Sequence, residues 1–145
     1  MTVAGVPLPG HAYVPGMNAR HAEGAFDGVR NSVVAGMSEA ELADTQAFRT
    51  GLIYLEQGFY WEAHEVLEPV WMACPEDSAA RQMVQGLIQL ANAYLKVRMM
   101  RPRAVVRLCD IALGHFAAAR QLGGKRVMGI EISGMQRQVE TLRET

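Results

Sequence analysis

Between Ala79 and Met99 the chain places Met83, Val84, Leu87, Ile88, Leu90, Ala91, Tyr94 and Leu95 at helical spacing, so a helix through this stretch is apolar over much of its circumference. Such a helix is stable in water only when other elements enclose it, which makes it the centre of an α-helical assembly. No other stretch alternates convincingly as a strand, and the search for partners therefore turns to further helices.

Ser38 followed by Glu41 forms a capping box, in which hydroxyl and carboxylate satisfy orphaned backbone donors at a helix start. This predicts a helix from there to Gln57, with Phe48, Leu52 and Leu55 as its core stripe and Gly58 ending it in a left-handed conformation. A second helix begins near Phe59 and stops by Pro75, after which Asp77 or Ser78 can cap the central helix. Pro102 sits where a first-turn proline is tolerated, and Val105, Leu108, Cys109, Ala112 and Phe116 continue at helical spacing until Gly123 and Gly124. Ser133 with Gln136 reads as another capping box, opening a last short helix on Met135, Val139 and Leu142.

Residues 1–37 differ in character. Pro7, Pro9 and Pro15 with Gly5, Gly10 and Gly16 argue against regular structure up to about residue 20, and Phe26, Val29 and Val33 suggest a short helix within Glu23–Val34. The expected architecture is an all-α antiparallel bundle of four main helices in residues 38–145, ending in a short helix, with the proline- and glycine-rich arm of residues 1–37 laid across it.

A length of 145 residues suits one core, and a composition 50% hydrophobic and 20% charged is that of a folding chain, not a disordered one. No apolar run approaches the roughly 18 residues that cross a bilayer, and MTVAGVPLPG lacks the basic and apolar regions of a secretory signal. A cytoplasmic location is expected, with no membrane partner. Cys74 and Cys109 are too few for a disulfide framework and are expected as reduced thiols. Charge is unevenly distributed: the first 80 residues carry 3 Arg against 11 Asp or Glu, and the remainder 11 Lys or Arg against 4 acids. Complementary packing of the two halves, within one chain or across a homo-oligomer, is the favoured reading.

The segment richest in chemistry is YWEAHEVLEPVW, residues 60–71. Helical rotation puts Tyr60, Ala63, Val66, Leu67, Val70 and Trp71 on one broad arc, which is expected to face the core. His64 and Glu68 fall on its rim, Glu65 lies further toward solvent, and Glu62 approaches the opposite edge. The four polar groups therefore do not converge from this helix alone. Zinc-protease helices use His-Glu-x-x-His, and here Glu68 replaces the second histidine. A metal at His64 and Glu68 would need a further ligand, for which His21, His115 and Glu56 are candidates. The favoured expectation is no cofactor, with His64 and Glu68 hydrogen-bonded to other helices or to the arm; the alternative is a divalent metal. Pro69 removes the donor that would serve the Glu65 carbonyl, leaving that oxygen free and kinking the helix.

On the central helix Gln85, Gln89, Asn92 and Lys96 form one polar stripe, expected either in solvent or, facing His64 and Glu68, in an internal network. Lys96, Arg98, Arg101, Arg103 and Arg107 cluster around the following turn. No nucleic-acid-binding motif accompanies them, so a solvated or acid-paired surface is favoured over phosphate recognition.

The stretch FRTGLIYLEQGFYWEAHEVLEPVW with QGLIQLANAYLK resembles the signature of the domain of unknown function 309 family, and the arm AYVPGMNARHAEGAFD is similar to the start of its bacterial members. The resemblance implies a compact all-α fold and no assigned activity. It directs attention to Tyr60, Glu62, His64, Glu65, Glu68, Trp71, Gln85 and Gln89. Two readings follow. The first is a non-enzymatic binding or self-association module with an interhelical network of Tyr60, His64, Glu68, Trp71, Gln85 and Gln89, acting on a protein partner or a second copy. The alternative is a metal-dependent hydrolase with His64 and Glu68 as ligands and Glu62 or Glu65 as catalytic base.

Overall fold

The computed structural model describes residues 1–145. In chain order the elements are β1 (Thr2–Val3), β2 (Val6–Pro7), α1 (Asp27–Arg30), α2 (Glu39–Ala43), α3 (Gln46–Gln57), α4 (Tyr60–Ala73), α5 (Ala79–Arg98), α6 (Pro102–Gly123), β3 (Arg126–Val127), β4 (Ile130–Glu131) and α7 (Ile132–Arg143). Helices dominate, as the apolar periodicity of residues 79–99 requires.

The long helices pack in series: α3 on α4, α4 on α5, α5 on α6 and α6 on α7. Contact between α3 and α5 or α6 is slight, so each long helix packs chiefly on its neighbours in sequence within a predominantly helical fold. The central position of α5 is realised, with Met83, Val84, Leu87 and Leu90 wholly buried. Two small residues set the closest approaches. A methyl group on Gly51 would collide with Leu67 of α4, and one on Gly86 would lie 2.6 Å from the Phe116 ring of α6.

Several helix ends follow local chemistry visible in the sequence. Ser38 and Glu41 make both halves of the capping box, Ser78 caps α5 by accepting from the Arg81 amide, and Gly58 ends α3 at φ 89°. Other expectations are corrected. The helix expected from Ser38 to Gln57 is broken in two, because Thr45 adopts an extended backbone and accepts the Phe48 amide to start α3 afresh. Within Glu23–Val34 only Asp27–Arg30 is helical, in keeping with the left-handed Gly24 just before it. Ser133 is no N-cap: α7 begins at Ile132 behind Glu131, and the Ser133 hydroxyl donates to the Glu131 carboxylate.

Two short antiparallel hairpins were not expected at all. Ala4–Gly5 joins β1 to β2 and Met128–Gly129 joins β3 to β4, all four residues with positive φ. That geometry matches the right-handed twist of the flanking strands, and glycine at the second position makes it accessible. The signal was present in Val-Ala-Gly-Val and Val-Met-Gly-Ile, though each pair of strands is only two residues long.

The arm does lie across the helices. Val14 is buried, and Val6, Leu8, Phe26, Val29 and Val33 pack against the core formed by the helices. No helix is long and apolar enough to cross a membrane.

Candidate functional site

Helix α4 buries Ala63, Val66, Leu67 and Val70 as its rotation predicts, while Tyr60 and Trp71, near its two ends, are only half-buried. The largest departure is Glu62. Placed by rotation near the edge of the apolar arc opposite His64 and Glu68, its side chain is 0% exposed. The arm is the reason. Residues 13–26 cover the flank of α4 that the other long helices leave open, and Glu62 becomes the point at which the arm is fastened.

The fastening is specific. Glu62 Oε2 accepts the Tyr13 backbone amide at 2.8 Å and pairs with His21 Nε2 at 2.5 Å. A carboxylate removed from water is costly unless hydrogen-bonded, and these two arm groups both engage its Oε2. Aromatic rings wall the pair in. Trp61 meets Tyr13 edge-on at 5.1 Å and lies 5.9 Å from His21; Phe26 stands edge-on to His21 at 5.0 Å; and His11 stacks on His21 at 4.4 Å. Glu62 Oε1 is the only buried side-chain oxygen or nitrogen without a hydrogen-bond partner. The His21 side chain retains 11% exposure, and its Nδ1 makes no bond within the protein. Burial, reinforced by the Glu62 charge, pushes the Tyr54 phenol above its ordinary range.

His64 belongs to a different cluster. Its Nδ1 lies 2.9 Å from Asn92 Oδ1 on α5, its Nε2 is 3.3 Å from Glu68 Oε2, and Asn92 in turn donates to Gln89 at 3.4 Å. The α5 stripe is thus partly turned toward α4. Glu65 and Glu68 face Arg30 of α1, at 3.8 and 3.9 Å, and the Arg30 guanidinium donates to the Glu65 backbone carbonyl. The oxygen that Pro69 deprives of its helical donor is therefore satisfied by the arm. His21, one of the candidate third ligands for His64, instead serves Glu62. The structure contains no group of three or more His, Cys, Asp or Glu side chains arranged to hold a metal ion.

The remaining motif residues disperse. Arg81 lies 4.5 Å above the Trp71 ring and, with Gln85, borders a small polar cleft where Gln82 meets His115 Nδ1 at 2.7 Å. Burial holds His115 below the ordinary imidazole range. Tyr60 stacks on Tyr94 at 4.8 Å and beneath Arg98 at 4.5 Å, and Arg98 also donates to the Gly58 carbonyl that ends α3. Arg101, Arg103 and Arg107 are exposed and make no ion pair.

What the fastened arm creates is a groove of about 990 Å³ between itself and α3. The β1–β2 hairpin with Leu8 forms one wall, His21, Phe26 and Val29 another, and Arg49, Ile53, Tyr54 and Glu56 of α3 the third. Half of the 18 lining residues are hydrophobic. Rotation of α4 alone could not have revealed this groove. Arg30 was findable, because a carbonyl orphaned by a proline needs a donor and the first 80 residues contain only three arginines.

Comparison with curated proteins and with solved structures yields no match. The model of one family does match, over a stretch that runs from within α3 through α4 and α5 into the start of α6. Residues 48–108 match the model of the family described as Domain of unknown function (DUF309).

Proposed function

We propose that this protein is a binding module, in which α4 is the scaffold, the arm is a wall, and the groove between arm and α3 is the ligand site. The observation that carries this reading is the Glu62 fastening: a buried carboxylate is costly, and here its two bonds tie down the arm at Tyr13 and hold the ring of His21, which lines a groove of about 990 Å³. Sites for small ligands are concave, mostly apolar and roughly 300–1,000 Å³, with a few placed polar groups. The groove has that size, and half of its lining residues are hydrophobic. The motif residues chosen from the sequence are supports in this reading. Asn92 and Glu68 engage both ring nitrogens of His64, and Arg30 draws Glu65 and Glu68 toward α1, which favours a positioning role over ligation in a hydrolase.

The test is fragment binding followed by amide chemical shifts. Apolar fragments bearing one polar group are expected to perturb Phe26, Val29, Ile53 and Tyr54, and Ile53→Trp, which fills the groove from α3, is expected to abolish the effect. Perturbations confined to other surfaces, or none, would overturn the proposal.

A further inference from the structure

On the groove face of α3, Arg49, Ile53 and Glu56 succeed one another at steps of four and three residues and so stand in a row. Both end groups are exposed, and neither makes an ion pair or a side-chain hydrogen bond within the protein. Seven residues of helix separate them by roughly 10 Å, too far for them to neutralise each other. The cation lies in the first turns of α3 and the anion in its last, so the helix dipole adds to the field that the two charges set up. Between them the floor is Ile53, and opposite stand Val6, Leu8 and Phe26.

A ligand matched to this row carries a negative end, an apolar middle and a positive end about 10 Å apart. An extended chain advances roughly 3.3–3.6 Å per residue, so the free termini of a tripeptide span that distance. We propose that the groove takes a short zwitterionic peptide of about three residues with apolar side chains, its carboxylate at Arg49 and its ammonium at Glu56. The proposal rests on the binding-module reading above and adds to it the class and orientation of the ligand. The peptide runs antiparallel to α3, its middle side chain against Ile53 and Phe26, with the Gln46 amide and Thr50 hydroxyl beside its C-terminal end.

Calorimetric titration with Ala-Leu-Ala, its N-acetyl form and its C-terminal amide tests this. Each cap is expected to weaken binding about tenfold, the size of one partly exposed charge contact of about 1.4 kcal/mol. Arg49→Gln is expected to abolish the effect of amidation while leaving that of acetylation, and Glu56→Gln the reverse; both positions are exposed, so neither change endangers the fold. The dipeptide Ala-Leu and a five-residue analogue are expected to bind more weakly than the tripeptide. Equal binding of free and doubly capped peptide, in a manner still blocked by Ile53→Trp, overturns the zwitterion while sparing the groove. Sensitivity to amidation alone means a monocarboxylate site and also overturns it. Absence of binding by any of these peptides sinks the ligand assignment; if apolar fragments also fail to perturb the groove, the binding-module reading falls with it.

Discussion

His21 and Glu62, 41 residues apart in sequence, meet at 2.5 Å, and their meeting fastens an otherwise irregular arm to the flank of α4. The pair sits beneath the aromatic cover of Trp61 and Phe26, where water does not compete for the carboxylate. Its consequences extend from stability to the shape of the groove.

Replacing Glu62 by alanine leaves the Tyr13 amide and His21 without their acceptor. Truncating one partner of a buried hydrogen bond costs about 1–3 kcal/mol, more when a charge is involved. Glu62→Ala is therefore expected to lower stability by about 3 kcal/mol. Hydrogen exchange should locate the damage, with amides of residues 13–26 losing protection before those of α5 and α6. Uniform loss across all helices would mean that the arm is not a separately fastened unit.

Arg30 and Pro69 are expected to be coupled through the Glu65 carbonyl. In the presence of Pro69, Arg30→Ala orphans that oxygen and should cost about 1–2 kcal/mol. In a Pro69→Ala background the new backbone amide can serve the carbonyl, so the same arginine change should cost markedly less. A double-mutant cycle by denaturant unfolding measures the difference; strictly additive values would disprove the coupling.

Gly86 is a place where helix propensity and packing oppose each other. Alanine is preferred to glycine in a helix by about 1 kcal/mol. Here its methyl would stand 2.6 Å from the Phe116 ring, which is fully buried and cannot retreat. Overpacking of this kind costs about 1–3 kcal/mol, so Gly86→Ala is expected to be destabilising. A raised melting temperature would show that α5 and α6 are less tightly apposed.

The pH dependence of stability should contain a contribution from His115. Burial depresses its folded-state affinity for protons, so on acidification the unfolded chain binds a proton first. Stability from this group is present above the unfolded value of 6.5 and is lost as pH falls through the lower folded value. Melting temperatures measured between neutral and mildly acid pH should fall less steeply for His115→Gln than for the parent chain.

Truncation of Trp71 illustrates how rotation alone overstates burial. The ring lies on the apolar arc of α4, which suggests a fully enclosed residue. In the fold it is half-buried with Arg81 over its face, so the loss is stem packing and one cation–π contact, not a core cavity.

Elements governed by nearest neighbours were legible in the sequence. The capping box at Ser38, the left-handed stop at Gly58, the Ser78 cap and the first-turn Pro102 each depend on a few adjacent backbone groups, and all four appear where the residues place them. Thr45 shows the limit of this reading. Its hydroxyl was as capable of capping as that of Ser38, but the capping box at Ser38 already supplied a start for the helix, and a second start at Thr45 was not read.

By itself the sequence determined that the chain is helical, that α5 is central, and that the flanks of α4 carry an unusual density of carboxylates and aromatics. These follow from short-range periodicity, which a linear reading contains in full. Which carboxylate goes inside was decided only by the tertiary structure. Glu62 stands beside the edge of the apolar arc on the wheel of its own helix, and the arm that arrives from 41 residues earlier turns that edge into an interior. Burial is a property of what covers a residue, and the cover here comes from a segment that reaches α4 through contacts distant in sequence, which periodicity along one helix does not contain.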